Sequence, residues 1–148
     1  MVVRNTLAFT KVLKMPYKKA IPDNPKTLGE HILRKRLLMR LLQKHVAEQL
    51  GVTEASVTGW ENGRSMPMLH VYPAIIAFLG YYPFDTDIST VSGQIEFVRY
   101  NLGWSYERMS AEFGVDGTTV QDWFSTNRIY KKSHQRILSV LLKQSLSI

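Results

Sequence analysis

The residues of this chain that are able to act as acids, bases, nucleophiles or metal ligands form no recognisable catalytic pattern. The four histidines, His31, His45, His70 and His134, lack the spacing of metal ligands. No glycine-rich phosphate loop is present, and no serine belongs to a motif that supplies a base. We therefore expect no enzymatic activity, no metal and no cofactor.

Basic side chains, by contrast, are in excess and are unevenly distributed. The formal charge is +7, of which residues 1–26 contribute +5, residues 27–83 contribute +2 and residues 84–148 contribute zero. An excess concentrated in one part favours a polyanion partner there, with nucleic acid preferred over anionic lipid. The alternative is that the basic residues only keep a small protein soluble, and charge alone does not choose between the two.

Composition restricts the compartment and argues against a membrane. The chain has no cysteine, which excludes disulfides and thiolate metal sites and fits a reducing environment. The apolar run at residues 68–84 is too short to span a bilayer and contains His70 and Pro73. We expect a cytoplasmic protein that does not contact a membrane.

An internal repeat determines the organisation of the chain. The segment KHVAEQLGVTEASVTGW at 44–60 corresponds to ERMSAEFGVDGTTVQDW at 107–123. The matched pairs lie 63 residues apart: Thr27 and Thr90, Ile32 and Ile95, Arg36 and Arg99, Gly51 and Gly114, Val52 and Val115, Val57 and Val120, and Trp60 and Trp123. We predict a basic N-terminal arm at 1–26, a first unit at 27–83 and a second, degenerate unit at 84–148.

The signals within each unit are helical. Thr27 and Glu30 form a capping box that starts a first helix. A second helix covers about 43–50 and ends at Gly51, where the chain must turn. Thr53 is able to cap a third helix, and residues 68–79 supply a covering helix. The predicted fold class is all-α.

The combined pattern Gln43-x-x-x-Ala47-x-x-x-Gly51-x(5)-Val57-x-x-Trp60-Glu61-x-Gly63-x(3)-Pro67 resembles the lambda-repressor-like, or XRE-type, helix-turn-helix family. The second unit resembles it more weakly, since Tyr106 replaces the glutamine and Phe124 replaces the acid. The resemblance implies two tandem repressor-like helix-turn-helix bundles that bind double-stranded DNA and regulate transcription. Such a protein would belong to the pool associated with the bacterial nucleoid.

The resemblance also implies which residues of the first unit meet DNA. The third helix would lie in the major groove, and its outward face carries Glu54, Ala55, Thr58, Gly59 and Asn62. Gln43, which opens the second helix, would contact a phosphate, flanked by Lys44 and Arg64. The alternatives are a solvated helix start for Gln43 and ordinary surface charges for Lys44 and Arg64.

Two positions on the groove face predict modest base specificity. Gly59 occupies a site where the family usually places a longer polar side chain that reads a base, so it either permits close backbone approach or marks lost readout. Glu54 repels phosphate, although a carboxylate accepts a hydrogen bond from cytosine. The resemblance further implies an ion pair between Arg36 and Glu61. Arg40 stands where the family usually has a glycine, which Gly103 supplies in the second unit.

The second unit has a weaker set of candidates. Thr118 and Gln121 lie on its groove face, and Gln121 suits adenine readout. Arg128, Lys131 and Lys132 are placed to contact a phosphate from the following loop. The neutral local charge equally fits a structural or dimerisation role for this unit.

Two further segments have open alternatives. The arm, with bases at 4, 11, 14, 18 and 19, is either a groove-binding extension or a solvated tail. For Tyr81, Tyr82 and Phe84 we favour packing between the units over stacking on bases. The rival to DNA binding is a protein-interaction module or an antitoxin with reduced DNA readout. A homodimer and a protein partner both fit the sequence.

Overall fold

The computed structural model describes residues 20–147, and within that range all regular structure is helical. Eight α-helices follow one another, with one short 3₁₀ turn at Leu69–Val71. They are α1 (Leu28–Leu38), α2 (Gln43–Leu50), α3 (Glu54–Glu61), α4 (Tyr72–Leu79), α5 (Val91–Leu102), α6 (Tyr106–Phe113), α7 (Thr119–Thr126) and α8 (Lys132–Leu146). The predicted all-α class is confirmed for these residues, whereas the basic positions of the arm at 4–19 lie outside them.

Helix α1 begins at the predicted capping box. The Thr27 hydroxyl accepts from the Glu30 N–H at 3.2 Å, and the Glu30 carboxylate accepts from the Thr27 N–H at 3.0 Å. Backbone donors from Lys26 and Thr27 lower the pKa of Glu30. Arg34, on the same helix, donates to the backbone carbonyls of Pro22 and Asp23, so residues before α1 are held against it.

Gly29 allows α1 and α3 to approach closely. A Cβ atom at position 29 would lie 1.9 Å from the carbonyl oxygen of Trp60, which is backbone and has no room to move. Any larger residue at this position would therefore push α3 away from α1. No local pattern predicts this contact, because Gly29 lies inside an ordinary helical segment.

The turn between α2 and α3 forms as the sequence predicts. Gly51 adopts the left-handed conformation with φ 67°, and the Thr53 hydroxyl accepts from the Ser56 N–H at 3.1 Å to cap α3. Ala47 is 3% exposed, and Val57 is completely buried. The two short helices are thus joined by a tight turn with a small side chain at their contact.

Helices α5 to α7 have a similar arrangement. Helix α6 lies 63 residues after α2 at both ends, and Gly114 has φ 66° where Gly51 has φ 67°. Helix α7 starts two residues later than the repeat predicts, and in its first turn the Val120 N–H donates to the buried Ser110 hydroxyl at 3.3 Å. Ser110 therefore has a structural role at the start of α7.

The first turns of the two halves also correspond. Arg40 has φ 56° and Gly103 has φ 66°, so both chains turn through the left-handed region at this point. That conformation costs an L-residue about 1 kcal/mol or more, which glycine avoids. Position 40 therefore adopts the same left-handed conformation as Gly103, although it is an arginine and not a glycine.

An aromatic cluster joins two separate hydrophobic cores. The first core packs around Trp60 and the second around Trp123. Tyr72 of α4 and Tyr100 of α5 meet edge to face at 5.1 Å, and Phe84 contacts both rings. Phe84 therefore packs between the two cores, as the sequence predicts for it.

Tyr82 belongs to the same cluster, whereas Tyr81 does not. Tyr82 packs on Phe84 and Phe97, and burial raises its pKa to about 12. Tyr81 remains 44% exposed, and its hydroxyl forms a hydrogen bond with His31 Nδ1 at 2.8 Å. Packing between the cores therefore accounts for Tyr82 and Phe84, and Tyr81 binds the side of α1.

Candidate nucleic-acid interface

The start of α2 is the first part of the candidate interface. Leu42 occupies the N-cap and supplies no side-chain acceptor to the helix, although its own N–H donates to His45 Nδ1 at 3.3 Å. Leucine is a poor N-cap because it leaves N-terminal N–H groups without an acceptor. Lys44 is exposed in the first turn of the same helix. This end of α2 is therefore suited to an external anion such as a phosphate.

A hydrogen-bonded network fixes α3 relative to α1 and α2. Arg36 Nε donates to Glu61 Oε1 at 2.5 Å, and Arg36 Nη2 donates to Glu61 Oε2 at 2.7 Å. Both side chains are buried, with 7% and 0% of their surfaces exposed. The ion pair that the resemblance implied is present, and its bidentate geometry restrains the orientation of α3.

Gln43 joins this network, which differs from the solvent-facing position expected for it. Its Nε2 donates to Glu61 Oε2 at 2.8 Å, and its Oε1 accepts from the Thr58 hydroxyl at 2.9 Å. The side chain is half-buried. Both Gln43 and Thr58, expected to contact DNA, thus link α2 to α3 in this structure. The Gln43 partners lie 15 and 18 residues away, so no local pattern revealed them.

The remaining candidates of the first unit have different degrees of exposure. The exposed ones are Lys44, Glu54, Ala55, Asn62 and Arg64, whereas Thr58 and Gly59 are half-buried. Asn62 Nδ2 also donates to the Thr58 carbonyl at 2.9 Å. The exposed outward face of α3 therefore offers a carboxylate, a methyl group and an amide to a partner.

The environment of Gly59 explains in part why a glycine is tolerated in α3. A Cβ atom at this position would lie 2.6 Å from the Ser65 hydroxyl oxygen, and the Arg64 N–H donates to the Gly59 carbonyl at 2.9 Å. Ser65 is exposed, so its side chain is able to rotate away. The loop after α3 therefore folds back onto Gly59 without forbidding a larger residue there.

We expect Gly59→Asn to leave the free energy of unfolding unchanged or higher by a few tenths of a kcal/mol, because asparagine is the better helix former. Affinity for duplex DNA should be unchanged or higher, since the position regains a polar side chain. Thermal unfolding and fluorescence anisotropy with duplex DNA measure the two quantities. Gly59→Ala is the control that fills the Ser65 contact without adding an amide. A loss of affinity in both variants would show instead that Gly59 permits close backbone approach.

The second half replaces the polar network by an aromatic one at the equivalent positions. The Arg99 guanidinium lies 3.6 Å from the centroid of the Tyr106 ring, and that ring is 5.8 Å from Phe124. Arg36 and Arg99 nevertheless keep one contact in common, since each donates to the carbonyl of the residue five positions later, Leu41 or Trp104. Comparison of these three positions between the repeats shows that the acid and the amide are lost, but it does not predict the stacking of Arg99 on Tyr106.

The start of α6 also differs from the start of α2. The Ser105 hydroxyl accepts from the Arg108 N–H at 3.1 Å and so caps α6, and the exposed Glu107 lies in its first turn. A helix N-terminus that is capped and carries an acid is a poor site for a phosphate. The two helix starts are therefore chemically unequal.

The candidates of the second half are all on the surface. Thr118 and Gln121 are exposed near the start of α7, beside the exposed carboxylates of Asp116 and Asp122. Arg128, Lys131 and Lys132 are exposed between α7 and the first turn of α8. The structure thus separates the groove-face candidates, which have acidic neighbours, from the basic loop.

Among residues 20–147 there is neither a metal site nor a helix that could span a membrane. No group of three or more histidine, aspartate or glutamate side chains in this range is arranged to hold a metal ion. Its longest helix, α8, has 15 residues, and none of its helices has the length and apolar character needed to cross a bilayer.

Comparison with known proteins supports the assignment of the first half. The sequence model of the family described as Helix-turn-helix matches residues 32–86, a segment that begins within α1 and ends after α4. Neither the curated proteins nor the solved structures gave a match. The matched segment contains α2, the Gly51 turn and α3, so the similarity to this family covers the part of the all-α structure in which two short helices are joined by a tight turn.

Proposed function

We propose that this protein binds double-stranded DNA through its first unit, residues 27–83, and regulates transcription. Helix α3 enters the major groove, and the N-terminus of α2 lies against the phosphate backbone. The observation that carries the proposal is the start of α2. Its helix N-terminus lacks a side-chain cap, Lys44 is exposed beside it, and Gln43 ties it to α3.

The network around Glu61 supports a defined orientation of α3 in the groove. Arg36 binds Glu61 in a bidentate manner, and Glu61 in turn binds Gln43, so α1, α2 and α3 are connected at one point. A recognition helix that is held in this way keeps one orientation relative to the rest of the domain. Specific contacts with bases need such a fixed orientation. Arg64, in the loop after α3, adds a positive charge for a neighbouring phosphate.

The base specificity that we propose is modest. The exposed groove face offers Glu54, Ala55 and Asn62, and Gly59 has no side chain. Asparagine binds adenine in a bidentate manner, and alanine contacts the thymine methyl group. Glu54 accepts from cytosine but is repelled by the phosphates on either side. Backbone contacts would therefore supply much of the affinity.

The second unit, residues 84–148, is proposed to be a diverged copy of the first. Three features support this relation. The helix bounds correspond, Gly114 turns through the left-handed region as Gly51 does, and an arginine donates to a backbone carbonyl five residues later in each unit. Its capped α6 and its aromatic network support a different use of the copy. We propose that the two units contribute unequally to DNA binding.

We expect Lys44→Ala to weaken binding to duplex DNA and to lower the slope of log K against log salt concentration by about one unit. Truncation of Lys44 removes a phosphate contact at the start of α2. Because this side chain is exposed, its truncation should leave the fold unaffected. The equivalent change in the second unit, Glu107→Ala, removes an acid and should not weaken binding. Fluorescence anisotropy over a salt series from 50 to 200 mM measures both slopes.

The parent protein should bind non-specific duplexes in the range of about 10⁻⁴–10⁻⁶ M at physiological salt. No binding at low salt would remove the proposed function. Equal losses from Lys44→Ala and Glu107→Ala would show that the two units bind as equivalent halves. Gln43→Ala is a less direct test, because it also breaks the hydrogen bonds to Thr58 and Glu61.

A role in binding another protein is the second candidate, and one observation favours it. Leu38, Met39 and Leu42 are 58%, 49% and 43% exposed around the turn at Arg40. A cluster of large apolar side chains on the surface is typical of a contact with another chain. The salt series separates the two candidates, since a protein-binding module without DNA function would show no affinity for duplexes.

A further inference from the structure

The second unit separates its charges more strongly than its net charge suggests. Residues 84–122 contain seven acids and two bases, whereas residues 123–147 contain five bases and no acid. The formal charges of the two parts are therefore −5 and +5. A unit that is neutral in total thus has one acidic part and one basic part.

Most of the basic part is on α8. Lys132, Arg136 and Lys143 are exposed, whereas Leu138 and Leu141 of the same helix are buried in the second core. At 100° per residue the three cations fall within about 40° of the helix circumference, and they extend over about 16 Å of its length. They form a single stripe on the side of α8 that points away from the core.

The loop before α8 continues this stripe. Arg128 and Lys131 are exposed, and Tyr130 between them is 79% exposed. Within residues 20–147, none of the five cations from Arg128 to Lys143 forms an ion pair with a carboxylate. We call the surface of Arg128, Lys131, Lys132, Arg136 and Lys143 the α8 basic face.

An ordinary solvated helix face is the alternative explanation of these charges. Such a face commonly mixes both signs, because alternating charges stabilise a helix through pairs at i and i+4. The α8 basic face has no acid, and the exposed acids of the unit lie elsewhere. Asp85 and Asp87 precede α5, and the others lie on or beside α6 and α7, at Glu107, Glu112, Asp116 and Asp122. The charge distribution therefore attracts a polyanion to α8 and repels it from the groove face of α7.

We propose that the second unit binds the phosphodiester backbone of duplex DNA through the α8 basic face, and not through α7. This inference rests on the proposed DNA-binding function of the first unit. A stripe about 16 Å long is long enough to contact more than one phosphate of the duplex, because DNA carries one negative charge per ~1.7 Å of its helix axis. The first unit then supplies groove contacts, and the second unit adds affinity that is independent of base sequence.

The test is a double variant, Arg136→Gln/Lys143→Gln, in the full chain. Both side chains are exposed, and glutamine keeps the helix propensity, so thermal unfolding should be unchanged. Loss of two phosphate contacts should lower the salt slope by about two units and reduce duplex affinity at least tenfold at physiological salt. The matched control on the other face is Gln121→Ala, for which we expect the parent affinity and slope.

An unchanged slope in the double variant would overturn the inference, and so would a loss of affinity in Gln121→Ala. If Lys44→Ala lowers the slope while the double variant does not, the first unit binds DNA and only the role of α8 is wrong. Binding of the parent to vesicles of anionic lipid, lost in the double variant without any change in DNA affinity, would also overturn it. If the parent shows no affinity for any duplex, the proposed function fails as well.

Discussion

Replacing Glu61 by alanine is expected to lower the free energy of unfolding of the first unit by about 3–5 kcal/mol. The change leaves the Arg36 guanidinium in a site where only 7% of its side chain is exposed, without the carboxylate that binds Nε and Nη2. A buried charge without a partner is costly because protein replaces the water that would otherwise solvate it. The Gln43 Nε2 loses its acceptor at the same time.

Chemical denaturation monitored by circular dichroism measures this effect. The double variant Arg36→Ala/Glu61→Ala should recover part of the loss, because it removes the unpaired charge together with its partner. Arg99→Ala is the matched control in the second unit. It removes a partly exposed guanidinium stacked on Tyr106, which is worth about 0.5–2 kcal/mol. A Glu61→Ala variant as stable as the parent would mean that the network does not hold α3.

Truncation of either core tryptophan should have an effect of similar size. Trp60 and Trp123 are 7% and 8% exposed, and each is a buried member of its own core. Trp60→Ala and Trp123→Ala should each cost about 3–5 kcal/mol, since the cavity left by an indole is too large to collapse completely. Trp123 also makes an edge-to-face contact with Phe113 at 5.2 Å, which the truncation removes.

Trp104→Ala is the control for these two variants. Trp104 is the remaining tryptophan of the sequence. Its side chain is half-buried, and the Arg108 guanidinium lies 5.3 Å from the centroid of its ring. Its truncation should cost clearly less than that of a core tryptophan, because less surface leaves the protein interior. Denaturant titrations compare the three variants. If Trp60→Ala or Trp123→Ala unfolds at the same midpoint as the parent, the corresponding core is not organised around that residue.

Features that depend on neighbouring residues could be predicted from the sequence alone. The Thr27–Glu30 capping box, the helix end at Gly51 and the N-cap at Thr53 each involve groups no more than a few residues apart. Their hydrogen bonds form as soon as the helix forms, so residue type and spacing are sufficient to predict them. The burial of Val57 and Trp60 follows from helical periodicity in the same way.

The resemblance to a known pattern added one long-range contact that periodicity does not contain. The pair of Arg36 with Glu61, 25 residues apart, was expected from that pattern and is present. Its counterpart in the second unit was expected to be absent, because Phe124 replaces the acid. The stacking of Arg99 on Tyr106 was not foreseen, since it depends on how α5 and α6 are oriented when the second core packs.

Contacts between groups of distant elements follow from the packing of the helices and not from any local pattern. The amide of Gln43 binds Thr58 and Glu61, Gly29 makes room for the Trp60 carbonyl, and the Ser65 hydroxyl lies against Gly59. The direction of the α8 basic face was decided in the same way, because burial of Leu138 and Leu141 turns the cations outward. The partners that a side chain has on distant elements depend on how whole helices pack. That packing buries apolar surface of the entire chain, so it cannot be read from any one segment.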